Sequence, residues 1–378
     1  MLFKYLSAAF LAVAQGAIIK RDSPKTLKLD FHVAVNGTAN GITKRDSVDY
    51  DLQNIQTEYL IELTVGSDYQ HFSVALDTGS SDLWIPTPDA VCTNDICLAY
   101  GSFDPRTSTS YTDLNTVIKD YYVDGTFAFG DYGKDDVHLP GGNTLNQFQF
   151  GSMNNISGNV HGLLGIDFPI FESTSYQSGE IYNNFPMALK AQNIIDQVSY
   201  SLYLNQLDAE TGSIIFSGID KAKYTGDLVV LNISTNDVSV KTNDLVLNGQ
   251  SLNFQDDIIL DSGSTNINFW DKNIVDQIYQ ELNSNSNGLA PCDQPSDKFL
   301  TFKFDGLEVD IPYSDLVRPS NQAGKCWVGV GYYGGVKENL VGDFFLRKVY
   351  VAYNLESRKI GLANAKYTDE EDIVDFWF

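Results

Sequence analysis

Apolar and polar residues alternate in short runs along most of the chain, and glycine, asparagine and aspartate separate the runs. Runs of this kind, rich in β-branched and aromatic residues, predict strands. Clear examples are residues 59–65, 70–76, 199–204, 213–216 and 227–231. Helical signals are few and occur at residues 186–192 and 271–282, where Asp271 is a candidate N-cap. The pattern therefore predicts an all-β architecture.

Two short segments carry nearly the same sequence. Residues 76–81 read Leu-Asp-Thr-Gly-Ser-Ser, with Asp77 directly after an apolar run. Residues 260–265 read Leu-Asp-Ser-Gly-Ser-Thr, with Asp261 in the same place about 180 residues later, an interval the size of a domain. Each segment is followed at a similar distance by an apolar stretch ending in glycine, at residues 162–165 and 339–342. The repeated order predicts two copies of one fold unit, each bringing one carboxyl group to a shared site.

Two carboxyl groups that face each other can perform acid–base chemistry on water. Glycine lets each loop approach its counterpart, while nearby hydroxyl and amide groups donate to the carboxylate. Carboxyls in such close contact resist double ionisation and titrate as a pair that shares one proton. The pair can take a proton from water and give one to a carbonyl oxygen, without a metal or cofactor. A single Asp-Thr-Gly is usually a turn, but two in matching contexts favour a catalytic pair.

The first 45 residues are predicted to be removed in two steps. A charged start, a short apolar stretch and a small-residue exit predict a secretory signal peptide over residues 1–17. The dibasic pair Lys44-Arg45 predicts cleavage of a propeptide spanning residues 18–45. These 45 residues hold seven Lys or Arg against two Asp or Glu, whereas the whole chain has a net charge of −24. The basic leader would therefore be attracted to the acidic remainder of the chain. Acid pH would weaken this attraction and favour release of the propeptide, which is expected to inhibit the enzyme intramolecularly.

Composition restricts the partners and the compartment. The length of 378 residues, with 43% hydrophobic residues, suits two cored lobes. The negative charge disfavours nucleic acid as a partner because phosphates would be repelled. No later apolar run approaches the roughly 18 residues needed to cross a bilayer. The expected product is a secreted, extracellular protein without a membrane anchor.

The four cysteines fall into two local pairs, Cys92 with Cys97 and Cys292 with Cys326. In a secreted chain an even number favours disulfides, although three pairings are formally possible. Zinc is disfavoured because neither pair has CxxC spacing and no histidine is near. Sequons for N-linked glycosylation begin at Asn155 and Asn232.

Together these motifs resemble those of the pepsin family of aspartic proteases, and most closely the secreted yeast candidapepsin group. The resemblance extends from about Tyr59 to about Asn364. It rests on residues 77–86 (DTGSSDLWIP), 184–190 (NFPMALK), 211–220 (TGSIIFSGID), 261–265 (DSGST) and 340–345 (LVGDFF). It implies a bilobal fold of two β-barrel-like lobes related by a pseudo-twofold axis, with a substrate cleft between them. The N-terminal lobe with its flap would span residues 46–225, and the C-terminal lobe residues 226–378.

The resemblance also implies roles for individual residues. Asp77 and Asp261 would be the catalytic pair of an endopeptidase that acts on proteins and peptides and binds pepstatin-type inhibitors. The residues implied to lock and support the two loops are Thr78, Gly79, Ser80, Ser262, Gly263 and Ser264. Tyr122 would be the flap tyrosine, supported by Trp84, in a hairpin containing Asp124, Gly125 and Thr126. A monomer is the usual state in this family.

Three positions near the flap leave alternatives open. Val123 stands where the family usually has glycine, so the hairpin could be stiffened or shifted by one residue, with Tyr121 as the flap tyrosine. Ala75 is smaller than the usual Ile or Val and would enlarge the pocket beside the scissile bond. Asp124 matches a flap acid that accommodates lysine on the acyl side in fungal relatives, although it is equally compatible with an ordinary turn. Some cleavage after Lys or Arg is therefore expected beside the bulky apolar sites.

Other functions are less compatible with the sequence. A metalloprotease of the HExxH type and a serine hydrolase with a Gly-x-Ser-x-Gly elbow are excluded, because neither motif occurs. A catalytically silent relative that binds peptides or the cell wall is an alternative, as is a yapsin-like processing protease. The latter needs a hydrophobic C-terminal anchor, and residues 366–378 are too short and acidic for one. Residues 368–372 of this tail are predicted to fray.

Overall fold

A computed structural model describes residues 25–35, 57–93, 97–158, 161–206 and 209–378. Within them, strands dominate and helices are few and short, which confirms the predicted all-β class. Both helices expected from the sequence are present, and the side chain of Asp271 accepts a hydrogen bond from Asn273 N at the start of the longer one. The predicted signal peptide (1–17) and the dibasic site Lys44-Arg45 lie outside the described residues.

The strands divide into an N-terminal and a C-terminal set. The first set is β1 (Leu27–Val35), β2 (Thr57–Val65), β3 (Gln70–Asp77), β4 (Leu83–Cys92), β5 (Thr112–Tyr121), β6 (Phe127–His138), β7 (Thr144–Ser157), β8 (Gly162–Gly165), β9 (Ser199–Tyr203), β10 (Thr211–Phe216) and β11 (Gly218–Asp220). The second set is β12 (Tyr224–Asn232), β13 (Ser239–Lys241), β14 (Asp244–Leu247), β15 (Gln250–Ser251), β16 (Asp257–Leu260), β17 (Ile267–Phe269), β18 (Leu289–Pro291), β19 (Phe299–Phe304), β20 (Leu307–Pro312), β21 (Val317–Pro319), β22 (Lys325–Val328), β23 (Val330–Tyr332), β24 (Leu340–Val341), β25 (Val349–Asn354), β26 (Lys359–Ala365) and β27 (Ile373–Asp375).

The helices are short and lie between strands. The α-helices are α1 (Ser173–Ser178), α2 (Phe185–Ala191), α3 (Lys272–Glu281) and α4 (Asp343–Leu346). Single 3₁₀ turns occur at Pro140–Gly142, Pro169–Phe171, Lys221–Lys223 and Tyr313–Leu316. Among the described residues, no helix is both long and apolar enough to cross a bilayer.

A 13-stranded sheet joins the two halves of the molecule, with the order β12-β26-β25-β9-β10-β1-β2-β3-β8-β4-β7-β6-β5. The two halves of this sheet meet where β9, from the N-terminal set of strands, pairs with β25 near the end of the chain. The expected boundary between lobes, 225/226, falls inside β12, which pairs with β26. Smaller sheets complete the second half, including the five-stranded sheet β13-β16-β24-β17-β23.

Strand β1 belongs to the predicted propeptide and yet occupies the interior of this sheet. It pairs antiparallel with β10 on one side, where Leu29 faces Ile214, and with β2 on the other, where His32 faces Leu60. The alternate residues Leu27, Leu29, Phe31 and Val33 are buried in the main core. The described part of the predicted leader is thus a structural element of the folded precursor.

The two aspartate segments end equivalent strands. Strand β3 ends at Asp77 and runs parallel to β8, where Asp77 faces Gly165. Strand β16 ends one residue before Asp261 and runs parallel to β24. The repeat seen in the sequence therefore corresponds to a repeated unit of two parallel strands, one in each half.

The tail is ordered, so the prediction that residues 368–372 fray was wrong. The backbone N–H of Asp372 donates to the Asp220 carboxylate (2.7 Å), and the carbonyl of Thr368 accepts from Lys223 Nζ (2.7 Å). Beyond them, β27 pairs with β11, and the side chain of Phe376 is 8% exposed. The acidic stretch is ordered because the residues that follow it pair with the edge of β11 and pack on an apolar surface.

Both predicted disulfides are confirmed. Cys92 is bonded to Cys97 and Cys292 to Cys326, with sequence separations of 5 and 34 residues. One bridge therefore lies in each half. The sequon asparagines Asn155, in β7, and Asn232, at the end of β12, are exposed.

Candidate active site

The loops that follow β3 and β16 are locked together by four reciprocal hydrogen bonds. The Thr78 hydroxyl donates to the carbonyl of Leu260 (2.8 Å), and the Ser262 hydroxyl donates to the carbonyl of Leu76 (2.9 Å). Each hydroxyl also accepts from the opposite backbone, Thr78 N to Ser262 Oγ at 3.1 Å and Ser262 N to Thr78 Oγ1 at 2.9 Å. Each loop thus satisfies buried polar groups of the other, which fixes their relative position.

The two carboxyl groups have matching partners. Asp77 Oδ1 accepts from Gly79 N (2.8 Å), and its Oδ2 accepts from Ser80 Oγ (2.5 Å). On the other side, Asp261 accepts from Gly263 N (2.8 Å) and Ser264 Oγ (2.6 Å). Both aspartates are buried, at 6% and 7% exposed. The hydrogen bonding repeats atom for atom, as expected for two copies of one unit.

Glycine is required next to each aspartate because the opposite carboxyl occupies the space of a side chain. A Cβ on Gly79 would lie 2.7 Å from the Asp261 carboxyl carbon, and one on Gly263 would lie 2.5 Å from Asp77 Oδ1. Each carboxyl therefore lies directly against the loop that carries the other. Burial, and then the charge of Asp261, raise the pKa of Asp77 well above its usual range. This arrangement allows the pair to hold one proton between them.

Tyr122 closes the base of the hairpin that joins β5 to β6. The Trp84 indole N–H donates to the Tyr122 hydroxyl (2.6 Å). Burial, and then the charge of Asp120, raise the pKa of Tyr122 well above its usual range, so the phenol stays neutral. The hairpin is closed by hydrogen bonds from Tyr122 N to the carbonyl of Thr126 (2.9 Å) and from Gly125 N to the carbonyl of Tyr122 (3.0 Å).

The alternatives left open by Val123 are distinguished by side-chain direction. Tyr121 is 73% exposed and packs on the outer face of the hairpin against Phe129, whereas Tyr122 turns inward to Trp84. Val123 is 55% exposed at the tip. A valine at this position is therefore accommodated without moving Tyr121 into the cleft.

The remaining predicted residues lie around this hairpin. Asp124 Oδ1 accepts from Thr126 N (2.9 Å) and Thr126 Oγ1 (2.7 Å), so one of its oxygens stabilises the turn. Ala75 is 5% exposed and belongs to an apolar cluster that also contains Trp84 and is covered by Tyr122. The turn and specificity interpretations of Asp124 are thus compatible.

Comparison with known proteins agrees with this geometry. The family model of eukaryotic aspartyl proteases matches residues 58–365. The chain belongs to the eukaryotic aspartyl protease family. It is 34% identical to candidapepsin of Candida tropicalis over 98% of this chain and 96% of that protein. It is 36% identical to secreted aspartic protease 5 of Candida albicans, with 91% of this chain and 85% of that protein covered. The protein is accordingly an aspartic-type endopeptidase.

Sequence reasoning missed two buried carboxyls of this protease. Asp82 was part of the quoted motif but received no role; its two oxygens are engaged by Tyr132, Tyr182 and the backbone of Ser173. Asp167 follows Gly165 much as Asp343 follows Gly342, and its backbone N–H donates to the Ser80 carbonyl (2.8 Å). The repeat carried the signal for Asp167, because aligning the two glycines places an acid shortly after each.

Proposed function

We propose that this protease is a secreted endopeptidase that hydrolyses peptide bonds at acid pH with a water molecule activated between Asp77 and Asp261. The observation that carries the proposal is the matched hydrogen bonding of the two carboxyls, which face each other across two mutually locked loops. One carboxylate would take a proton from water while the protonated partner donates to the scissile carbonyl. A shared proton is available at acid pH, where one of the pair remains protonated.

The deciding experiment compares purified Asp261→Asn with the exposed control Asp276→Asn, using denatured haemoglobin or casein at acid pH. We expect a loss of at least about 10³-fold in kcat for Asp261→Asn, because an amide cannot act as the general base or share the proton. Asp276→Asn should retain full activity, and pepstatin should abolish it. Hydrolysis by Asp261→Asn at the wild-type rate would refute the mechanism. An inactive wild-type protein that still binds peptides would favour the silent-relative alternative.

We also propose that residues 1–17 are a signal peptide and that residues 18–45 are an inhibitory propeptide removed after Lys44-Arg45, leaving lobes 46–225 and 226–378. Support comes from the position of β1 inside the central sheet and from its ion pair to the tail, where Lys28 Nζ lies 2.5 Å from Glu371 Oε1. Because acid pH lowers the negative charge of the chain as a whole, it would weaken the attraction of the acidic body for this basic segment. A precursor that stays intact at pH 4 and is already active at pH 7 would contradict the proposal.

Specificity follows from the hairpin tip. We infer that the Asp124 carboxylate accommodates lysine or arginine on the acyl side of the scissile bond, beside the bulky apolar residues favoured by the cluster around Ala75. Asp124→Asn is the sharpest test, because the amide oxygen can still accept the turn hydrogen bonds of Thr126 while the charge is lost. Peptide-library profiling should show selective loss of cleavage after Lys and Arg. An equal loss at all sites would mean that Asp124 serves only the turn.

A further inference from the structure

Three carboxyl groups with buried oxygens, those of Asp82, Asp120 and Glu172, lie behind the flap and take no part in the proposed hydrolysis. The best satisfied of the three is Asp82, whose Oδ1 accepts from the hydroxyls of Tyr132 and Tyr182, both at 2.6 Å. The other oxygen of Asp82 accepts from Ser173 N (2.7 Å). Burial raises the pKa of the Asp82 carboxyl, although the three donors that converge on it act in the opposite direction.

Asp120 has fewer donors than Asp82: its side-chain partner is Ser173, and, as in Glu172, one of its oxygens is unpaired among the described residues. Asp120 lies on β5 two residues after the fully buried Ile118 and two before Tyr122, so all three share one face of the flap strand. Its Oδ2 is buried and has no hydrogen-bond partner in the described part of the chain. Burial, and then the charge of Asp82, raise the pKa of Asp120 well above its usual range. An ionised Asp120 would therefore be a buried charge facing another of the same sign.

The same place anchors the flap strand. β5 is the outermost strand of the 13-stranded sheet, and α1 covers its outer edge. Ser173 Oγ, at the start of α1, accepts from Lys119 N (3.1 Å) and donates to the carbonyl of Lys119 (3.0 Å). Because Ser173 also holds Asp82 through its backbone, one residue joins the flap strand to the buried carboxylate. Asp120 follows Lys119 directly, so its charge acts on this anchor.

We propose that Asp120 is a positioning residue for the flap: its protonated form lets β5 pack against Ser173 and Asp82 and so holds Tyr122 over the catalytic pair, whereas its ionised form repels Asp82 and loosens the strand. The inference rests on the proposed function only in assigning substrate contact to Tyr122. The titratable groups that face Asp120 or its immediate partners are Asp82, Tyr122, Tyr132, Tyr182 and Glu172. Within the described residues, none of the carboxyls of Asp82, Asp120 and Glu172 forms an ion pair with Lys, Arg or His.

The direction of the pH effect follows from linkage. A carboxyl whose pKa is raised in the folded state stabilises that state fully below its unfolded value, near 4, and loses this contribution as pH rises through the raised value. Burial likewise raises the pKa of Glu172 to about 8, so its neutral form also persists above pH 4. The flap anchor should therefore be firm at pH 4 and weaken towards neutrality, before any global unfolding.

The test combines kinetics with hydrogen exchange on Asp120→Asn and a control, Asp131→Asn, an exposed carboxyl on the neighbouring strand β6. KM and kcat for a peptide substrate are measured from pH 3 to 7, and exchange is followed in residues 112–121 of the free enzyme, corrected for intrinsic rates. In wild type and Asp131→Asn, we expect KM to rise about tenfold and protection of β5 to fall as pH increases. In Asp120→Asn, KM and protection should stay nearly constant.

Two results would overturn the proposal. One is a pH profile of KM and exchange in Asp120→Asn that parallels wild type. The other is a uniform loss of protection at every pH, which would make Asp120 only a packing residue. Exchange in the wild-type enzyme tests the idea without any variant, since unchanged protection of β5 relative to β10 between pH 4 and 7 would contradict it. Because exchange needs no substrate, an inactive enzyme would refute the proposed function while leaving the flap result to decide this one.

Discussion

Asp167 and Asp343 occupy corresponding places in the two halves of the molecule but have opposite surroundings. The backbone N–H of Asp167 donates to the carbonyl of Ser80 (2.8 Å), and that of Asp343 donates to the carbonyl of Ser264 (2.9 Å). Both side chains are buried, at 1% and 0% exposed. The backbone has thus kept the twofold repeat while the side-chain environments have diverged.

On the N-terminal side, no Lys, Arg or His in the described part of the chain forms an ion pair with the carboxyl of Asp167. Asp167 Oδ1 accepts from Phe168 N (2.7 Å), and its Oδ2 has no hydrogen-bond partner among the described residues. Burial raises the pKa of Asp167 well above its usual range, and the charges of Asp237, Asp77 and Asp261 act in the same direction. This carboxyl is therefore most stable in its neutral form.

On the C-terminal side, two donors bind one oxygen of the carboxylate, and its other oxygen has a cation nearby but no hydrogen bond among the described residues. Asp343 Oδ1 accepts from the hydroxyl of Tyr59 and from Arg347 Nε, while Arg318 Nη2 lies 3.8 Å from Oδ2. Tyr59 belongs to β2, so this network joins the two halves of the sequence. The comparison teaches that one carboxyl of the repeat is paired with two arginines, whereas its counterpart is buried without a cation among the described residues and has a raised pKa.

The largest expected effect comes from removing the charge at Asp343. Asp343→Asn leaves two buried guanidinium groups without their counter-ion, which should lower the free energy of unfolding by about 3–5 kcal/mol. Urea unfolding at pH 5 measures it. The double variant Asp343→Leu/Arg347→Leu should recover part of the loss, because it removes a charge of each sign. Equal free energies of unfolding for Asp343→Asn and Asp167→Asn would contradict the inferred difference between the two carboxyls.

The disulfides provide a second contrast between the halves. Loss of the Cys292–Cys326 bridge should cost about 4 kcal/mol and loss of Cys92–Cys97 about 2 kcal/mol, since the longer loop restricts the unfolded chain more. Paired Cys→Ser variants and thermal unfolding at constant pH measure both. A larger loss from opening the short loop would show that native contacts, and not chain entropy, dominate there.

A third expectation concerns the neutral carboxyl. Asp167→Asn should leave stability at pH 4 nearly unchanged, and at pH 7 it should stabilise the protein by about 1–3 kcal/mol, the cost of a buried group without partners. The sign follows from the raised pKa of Asp167, because stability present below pH 4 is lost as pH rises through the folded-state value. Urea midpoints at the two pH values measure the change. A variant less stable than wild type at pH 7 would show that Asp167 is held as an anion.

The smallest effect is expected at a histidine. His161 Nε2 lies 2.8 Å from Glu58 Oε2, and although burial lowers the pKa of His161, Glu58 outweighs this and raises it. The pair therefore stabilises fully below about pH 6.5 and is lost as pH rises through the raised value. His161→Gln should cost about 1 kcal/mol at pH 5 and less at pH 8, as followed by urea unfolding. The arginines around Asp343 do not titrate in this range, so their ion pairs should not depend on pH as that of His161 does. A loss of stability in His161→Gln that is the same at pH 5 and pH 8 would contradict this difference between the two sites.

Much of the catalytic arrangement could be predicted from the sequence because two short, similar segments contain most of the residues that form it. Asp77 and Asp261 each stand in a short motif, and the hydrogen bonds around them come from the next few residues. The environment of Asp343 could not be read in this way, because Tyr59 lies 284 residues away. Asp120 lies on the inward face of an alternating strand, but nothing local shows that Asp82 stands opposite it.

The leader and the tail show a different limit. Residues 27–35 alternate as a strand should, yet their position behind a predicted signal peptide favours their interpretation as a leader alone. The acidic residues of the tail favour a prediction of fraying, whereas the position of the tail is fixed by Phe376 and by the edge of β11. In both cases the partner surface is formed by distant parts of the chain.

The position of strand β1 has a consequence for the proposed cleavage after Arg45. A cut after Arg45 severs one covalent bond but none of the ladder contacts that β1 makes with β2 and β10, and none of the packing of Leu29 or Phe31. The nicked leader would remain as a non-covalent insert, and its departure would leave two open strand edges in the middle of the molecule. At neutral pH, native mass spectrometry after the cut should therefore record one particle, which separates into its two chains on acidification or denaturation.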